Sequence, residues 1–406
     1  MVFVPSQAGD LLTHPRRHPT ALSYLNGFFY GMGLNMLMLL VPLYIIDLGF
    51  SLADLGLVVS SAAVFMILLR LAGGAMSDRF GERVVLWFSF GTLAGGALVF
   101  IASETLLPLI VAQLFNGASR SVYWSAGQSY TSRSAEGNAG KSQGRLLCFE
   151  SGGGILGAVI AGTVAQFFGF NAAFLVAAAI NGIGIVATVI LPPLPRKDQI
   201  RSVRATFLPA VRLLFRRSMG LGHFSATLSA GYSALTGSLF VVLFKEFGYD
   251  DAMIGFLRSL MGVGVAIVAF PFGTLLVVLG TRNMAMAGLA LTGVVTILTT
   301  LTGSTPAAAV SLTMLGGLTF GSLRALYPAI AAANSRPQER GLAFSAVGLY
   351  WAVGMLIVPI SFGFLGDAIG VQNALYIFGG ISIGAAAITP ALTYMWREQD
   401  PSPGRV

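Results

Sequence analysis

Apolar residues run along the chain in long blocks separated by short polar or glycine-bearing breaks. A helix that crosses a bilayer needs about 20 mostly apolar residues. Blocks of that kind fall at 21–46, 53–76, 84–103, 106–130, 144–168 and 171–191. After a basic break at 192–218 come 219–243, 253–279, 283–303, 306–332, 341–366 and 371–395. The pattern predicts twelve spanning helices. Links such as 169–170 carry no charge and leave room only for tight turns between antiparallel helices. The first block is too long for the apolar region of a signal peptide and has no small-residue exit, so it is expected to be an uncleaved span.

Composition agrees with the pattern. Of 406 residues, 55% are hydrophobic and 10% charged, with a mean hydropathy of +0.79. A soluble domain carries about 25% charged residues. Soluble enzymes, nucleic-acid modules and disordered chains are thereby poor readings, despite a net charge of +8. The location of that charge sets topology, because Lys and Arg favour cytoplasmic loops. With the N-terminus inside, nineteen of the 24 basic residues fall on the cytoplasmic side. Lys245 stands alone outside, against Asp47, Asp54, Glu104, Glu246, Asp250, Asp251 and Asp367. A multi-pass protein of a bacterial-type inner or plasma membrane, with both termini cytoplasmic, is expected. One cysteine, Cys148, and three scattered histidines offer no metal site and no disulfide framework. Nothing in the sequence demands a cofactor.

The two halves repeat one another. Gly49-Phe50 before Leu55-Gly56 returns 199 residues later as Gly248-Tyr249 before Ile254-Gly255. Gly117 to Arg120 returns as Gly321 to Arg324, and Asn171 to Phe174 as Asn373 to Tyr376. The expected division is an N-terminal six-helix bundle (1–191), a basic cytoplasmic linker (192–218) and a C-terminal six-helix bundle (219–406). In the linker, Phe207, Leu208, Val211, Leu214 and Phe215 recur at helical spacing among seven basic residues. That suits a helix lying along the membrane surface, or a charged tether that sets topology. A duplicated bundle places a cavity between its halves near mid-membrane.

Between spans two and three stands Gly74-Ala-Met-Ser-Asp78-Arg79-Phe80-Gly81-Glu82-Arg83. It resembles the signature loop of the major facilitator superfamily, G-x-x-x-D-R-x-G-R/K-R/K, and departs from it at Glu82. The twelve spans, the six-plus-six repeat and the basic central loop extend the resemblance to the whole chain. It implies an all-α integral membrane fold of two pseudo-symmetric six-helix bundles. It also implies that Gly74, Asp78, Arg79, Gly81 and Arg83 form a conformational latch on the cytoplasmic side. The second half keeps a degraded copy, with Val277 and Val278 in place of the acid and base. In span five, Gly153, Gly157 and Gly162 align with the antiporter motif of the family's exporter branch, with Ala158 in place of its proline. Small residues at this spacing let helices pack closely, so ordinary packing is an equal reading.

Charges inside the bilayer cost about 2.5–3.5 kcal/mol each on insertion scales and mark function or structural pairing. Arg120 lies about fourteen residues into span four, roughly 20 Å deep at helical rise. Glu150 lies in span five and is the one carboxylate placed inside a span. The two are expected to face one cavity and to pair directly or through water, with Glu150 taking the coupling proton. Arg324 is the repeat partner of Arg120. If both arginines face the cavity, its charge favours an anionic or zwitterionic solute. Arg70 is expected to snorkel to lipid phosphates, and Arg258 to pair with Asp250 or Asp251. Asn35, Tyr123, Trp124, Tyr232, Tyr327, Tyr350 and Trp351 lie at depths that could line the cavity, although span aromatics more often serve packing or the interface.

The expected function is secondary transport of a small organic solute by alternating access, with proton-coupled export the preferred mode. Uptake or uniport of an organic anion held by Arg120 and Arg324 is the alternative. A membrane enzyme would need a buried cluster of acids, histidines or metal ligands, and the sequence shows none. Protons and the bilayer are the expected partners, nucleic acid is not, and a monomer is expected.

Overall fold

A computed structural model describes residues 19–101, 103–134, 139–194, 212–335 and 340–397. Every element among them is helical. Four spans open the chain: α1 (Pro19–Asp47), α2 (Leu52–Phe80), α3 (Glu82–Ile101) and α4 (Leu106–Ser134). The long segment Ala139–Ile190 breaks at Gly169 (φ 82°, ψ 168°) into α5 (139–168) and α6 (170–190). The seventh span, α7, consists of Gly220–Thr236 and Leu239–Glu246, broken at Gly237 and Ser238. The eighth, α8, is Asp251–Ala269 followed, after a turn at Phe270 and Pro271, by 272–279. Gly280 (φ 73°) separates it from α9 (281–302). Then come α10 (Pro306–Ala333), α11 (Arg340–Ile369) and α12 (Val371–Arg397).

Ten described segments are long and apolar enough to cross a bilayer. One of them, 142–190, holds two spans about Gly169. The remaining span, α4, is too polar to qualify by hydropathy, because Gln113, Asn116 and Arg120 lie along it. Large apolar side chains such as Leu68, Phe167, Phe168, Phe270 and Val277 stand outward on the helix surfaces. Outward-facing apolar side chains are stable against lipid and not against water.

The repeat is visible in the turns. Positive-φ glycines close the connections after α1 (Gly49), α2 (Gly81) and α5 (Gly169), and again after α7 (Gly248), α8 (Gly280) and α11 (Gly370). The three pairs are 199, 199 and 201 residues apart. Only glycine takes this conformation without strain, so the same tight antiparallel turns recur at equal places in each half.

Glycine also sets the packing inside each half. A Cβ on Gly153 or Gly157 would strike the backbone of Phe28 or Met32, which fixes α5 against α1. Gly117 meets Ala62 in the same way and fixes α4 against α2, while Gly317 meets Met261 and fixes α10 against α8. An aromatic core of Tyr30, Phe90 and Tyr123 fills the N-terminal half, with the two tyrosine rings stacked at 3.3 Å. The halves touch chiefly along two helix pairs, α2 with α11 and α5 with α8, with a smaller contact of α1 on α7. In both pairs the helix ends away from the chain termini are in backbone contact, Gly56 against Pro359 and Gly363, and Gly162 against Asp251 and Gly255. These contacts close that side, which is the outer side in the topology expected from the loop charges.

The apolar linker positions Phe207, Leu208 and Val211 lie outside the described residues. Of the rest, Leu213 is buried and Leu214 half-buried against Ala343, Ala346 and Val347 at the inner end of α11, while Phe215 is exposed. The chain thus enters the C-terminal half by docking on α11.

Candidate functional site

Below the outer seal, residues of both halves line a cavity between them. One wall is apolar: Leu34, Leu37, Met38 and Val41 of α1, Val59 and Ala62 of α2, and Met355 of α11. Opposite lies a polar strip from α4, formed by Gln113, Asn116 and Arg120, with Ser233 from α7. Positions 113, 116 and 120 share one helix face, because residues three and four apart stack. The Asn116 amide donates to Gln113 Oε1 at 2.9 Å and fixes the strip's orientation. This face explains why α4 is the least apolar span.

Glu150 is buried and is not among the residues that line this cavity. Its ion partner is Arg324 of α10, at 3.9 Å, rather than Arg120 of the adjacent helix as the sequence suggested. The pair therefore bridges the two halves. The Arg324 guanidinium also lies over the Trp124 ring of α4, 5.5 Å from its centroid, a cation–π contact worth about 0.5–2 kcal/mol. The second Glu150 oxygen and the Tyr123 hydroxyl are buried without a hydrogen-bond partner among the described residues. Two polar atoms left in that condition are costly unless water or a ligand reaches them.

The other intramembrane arginines also turn inward. Arg70 packs its guanidinium against Gly348 of α11 and does not reach for lipid phosphates. Its place at the contact between halves, and not its depth alone, sets its direction. Arg258 donates to Thr236 Oγ1 at 2.8 Å and lies 3.6 Å from Met261 Sδ. The acids proposed for it are engaged elsewhere: Asp251 pairs with Lys245, and Asp250 caps α8 through the Met253 N–H. Arg120 is within electrostatic reach of Arg70 and Arg324, and Arg258 within reach of Arg120. Of the four intramembrane arginines, Arg324 alone pairs with the Glu150 carboxylate.

The remaining expected site residues divide. Trp124 touches Arg324. Tyr327 and Trp351 pack together at 5.5 Å, and Tyr350 stacks on His223 at 4.2 Å while donating to the Leu214 carbonyl. Tyr123 belongs to the N-half core. Asn35 donates back to the Gly31 carbonyl one turn earlier and meets Gly154. Tyr232 lines a separate cavity inside the C-terminal half, together with Thr236, Phe240 and Arg258. Gln113, Asn116 and Ser233 were not singled out as cavity residues from sequence. The spacing of the first two from Arg120 was the signal that could have found them.

In the signature loop, Gly81 makes the turn with φ 84° and Arg79 lies against Phe80. Arg83 donates to the Val189 carbonyl at the end of α6 (2.8 Å). The surroundings of Gly74 and the side chain of Asp78 lie outside the described residues. Glu82, the departure from the family pattern, is buried and accepts from Arg133 (2.7 Å) and Ser129 (2.8 Å) of α4. Gly153 and Gly157 face α1, whereas Gly162 crosses to α8 in the other half.

The Major Facilitator Superfamily model matches residues 23–241 and 219–405. The quinolone resistance protein NorA of Staphylococcus aureus is 22% identical over 256 residues, covering 57% of this chain and 66% of that protein. An uncharacterized MFS-type transporter of Methanocaldococcus jannaschii is 22% identical across 88% of this chain and 93% of its own length. Among solved structures, the nucleoside transporter NupG superposes with a TM-score of 0.76 at 17% identity, over 93% of this chain and 98% of that one. An auto-inhibited POT family peptide transporter gives 0.75 at 13% identity, over 95% and 99%. Twelve helices in two repeated bundles, a cavity between them and a family match along nearly the whole sequence make this chain a member of the Major Facilitator Superfamily.

Proposed function

We propose that the protein exports a small organic solute in exchange for protons, by alternating access of the chamber between its halves. The carrying observation is the buried Glu150–Arg324 pair, which joins one half to the other. A carboxylate in such a place has two stable states. Pairing with Arg324 favours its ionised form. Without that partner, burial favours its protonated form. A solute that engages Arg324 frees Glu150 to take a proton, so binding and protonation become linked. One charge crossing 100 mV carries about 2.3 kcal/mol, enough to drive a substantial gradient. The likeness to a quinolone resistance protein supports the outward direction.

The test is Glu150→Gln in proteoliposomes. A solute that wild type transports under a pH gradient should cease to be driven by that gradient, while solute–solute exchange persists. Gradient-driven flux equal to wild type would remove Glu150 from the coupling step.

The excess of arginine over carboxylate favours one further reading, uptake or uniport of an organic anion. Arg120, on the cavity wall, and Arg324, against Trp124, would then hold the anion. Energised inverted vesicles separate the two, because an exporter accumulates solute inside them and an importer does not.

A further inference from the structure

The outer seal contains two polar contacts that occupy the same place in the repeat. At the first, the Asp367 carboxylate at the end of α11 accepts from the Leu52 N–H at 2.9 Å and the Ala53 N–H at 2.8 Å. These are free amides of the first turn of α2, in the other half. At the second, Gln166 Oε1 at the end of α5 accepts from the Asp251 N–H at 3.1 Å, in the first turn of α8. Gln166 and Asp367 are 201 residues apart, as are the glycines one turn before them, Gly162 and Gly363. The facing glycines, Gly56 and Gly255, are 199 apart. In both contacts a Cβ on any of these glycines would strike the opposite helix's backbone. Each seal thus has one design: a glycine pair brings two helices of different halves into backbone contact, and a side chain one turn on caps the partner's N-terminus.

The two caps differ in strength. Asp367 brings a full negative charge to the positive end of the α2 dipole and accepts two hydrogen bonds. Gln166 is neutral and accepts one. We propose that Asp367 and Gln166 are pseudo-equivalent locks of the outer gate, that Asp367 is the stronger, and that their release permits the chamber to open outward. The locks rest on the alternating-access reading but on no assignment of solute or proton. Because both span the two halves, they stabilise the outer-closed state and are absent once the outer ends part. Losing one therefore shifts the balance between states and need not disturb either bundle. Asp367 is exposed, so water competes for its partners and the shift is moderate.

The experiment measures the outer opening directly. With Cys148→Ser removing the native thiol, Glu104→Cys and Ser304→Cys carry spin labels on the exposed outer loops of the two halves. Pulsed electron-spin distances in nanodiscs then report the outer-closed and outer-open populations. Asp367→Ala should raise the open-to-closed ratio by about threefold to tenfold, with Asp367→Asn intermediate and Gln166→Ala smaller. Distributions for Asp367→Ala and Asp367→Asn that match the wild type would overturn the proposal, as would a larger effect from Gln166→Ala. Asp367→Asn keeps the side chain's shape and guards against a folding artefact. A wild type lacking transport but showing these shifts would fault the transport reading and leave the locks standing.

Discussion

At the scale of single residues, glycine decides more than charge does. Of the candidate antiporter-motif glycines, Gly153 and Gly157 seat α5 on α1, and Gly162 seats it on α8. Adding a side chain there forces helices apart. Gly157→Val should lower the thermal stability of the detergent-solubilised protein by about 1–3 kcal/mol. Gly91→Ala, where nothing lies within 4 Å of the added carbon, should leave the melting temperature unchanged or slightly raised. Equal losses in both variants would contradict this account of the packing. The sequence exposed the glycine spacing but not the partner of each glycine, because a spacing states which face is small and not what lies opposite. The same limit applied to charge. Depth placed Arg120, Glu150 and Arg324 inside the bilayer, yet nothing in a linear pattern tells whether Arg120 or Arg324 reaches the carboxylate.

Elements add what residues lack, a face. Helix α4 has weak hydropathy because Gln113, Asn116 and Arg120 turn one side of it to the chamber. Helices α7 and α8 are broken, at Gly237–Ser238 and at Phe270–Pro271, where unbroken spans were expected. Pro271 was the available sign of the second break, since proline removes a helical donor. Glu82 is a further case. It stands where the family pattern usually has a base. In place it ties the start of α3 to the end of α4 through Arg133 and Ser129. Glu82→Lys, which restores a base, should therefore destabilise the protein by roughly 1–3 kcal/mol, because the carboxylate beside Arg133 is replaced by a like charge. Thermal unfolding of the purified variant checks this, and a stability at or above wild type would show the pair to be dispensable.

For the whole molecule, twelve spans and their duplication were legible because lipid imposes them. Length, apolarity and loop charge are one-dimensional quantities, and a chain reports them directly. The chamber was legible only as a consequence of duplication, and its walls were not, since they depend on the rotation of each helix about its axis. What the assembled structure adds is a closed side away from the termini, a cavity between the halves, and an acid on one half paired with an arginine on the other. The proposed exchange of solute for protons requires that this region be reached by water. Cysteine accessibility tests that requirement most directly. In Cys148→Ser, single cysteines at Gln113, Arg120 and Ser233 report the chamber, and Leu68→Cys, on the exposed apolar surface, reports the lipid face. A membrane-impermeant charged thiol reagent, applied to vesicles of each orientation, should label the three chamber positions and spare Leu68→Cys. If the chamber cysteines stay as unreactive as the lipid-facing one from both sides, no aqueous route joins them, and the account of solute and proton handling is contradicted.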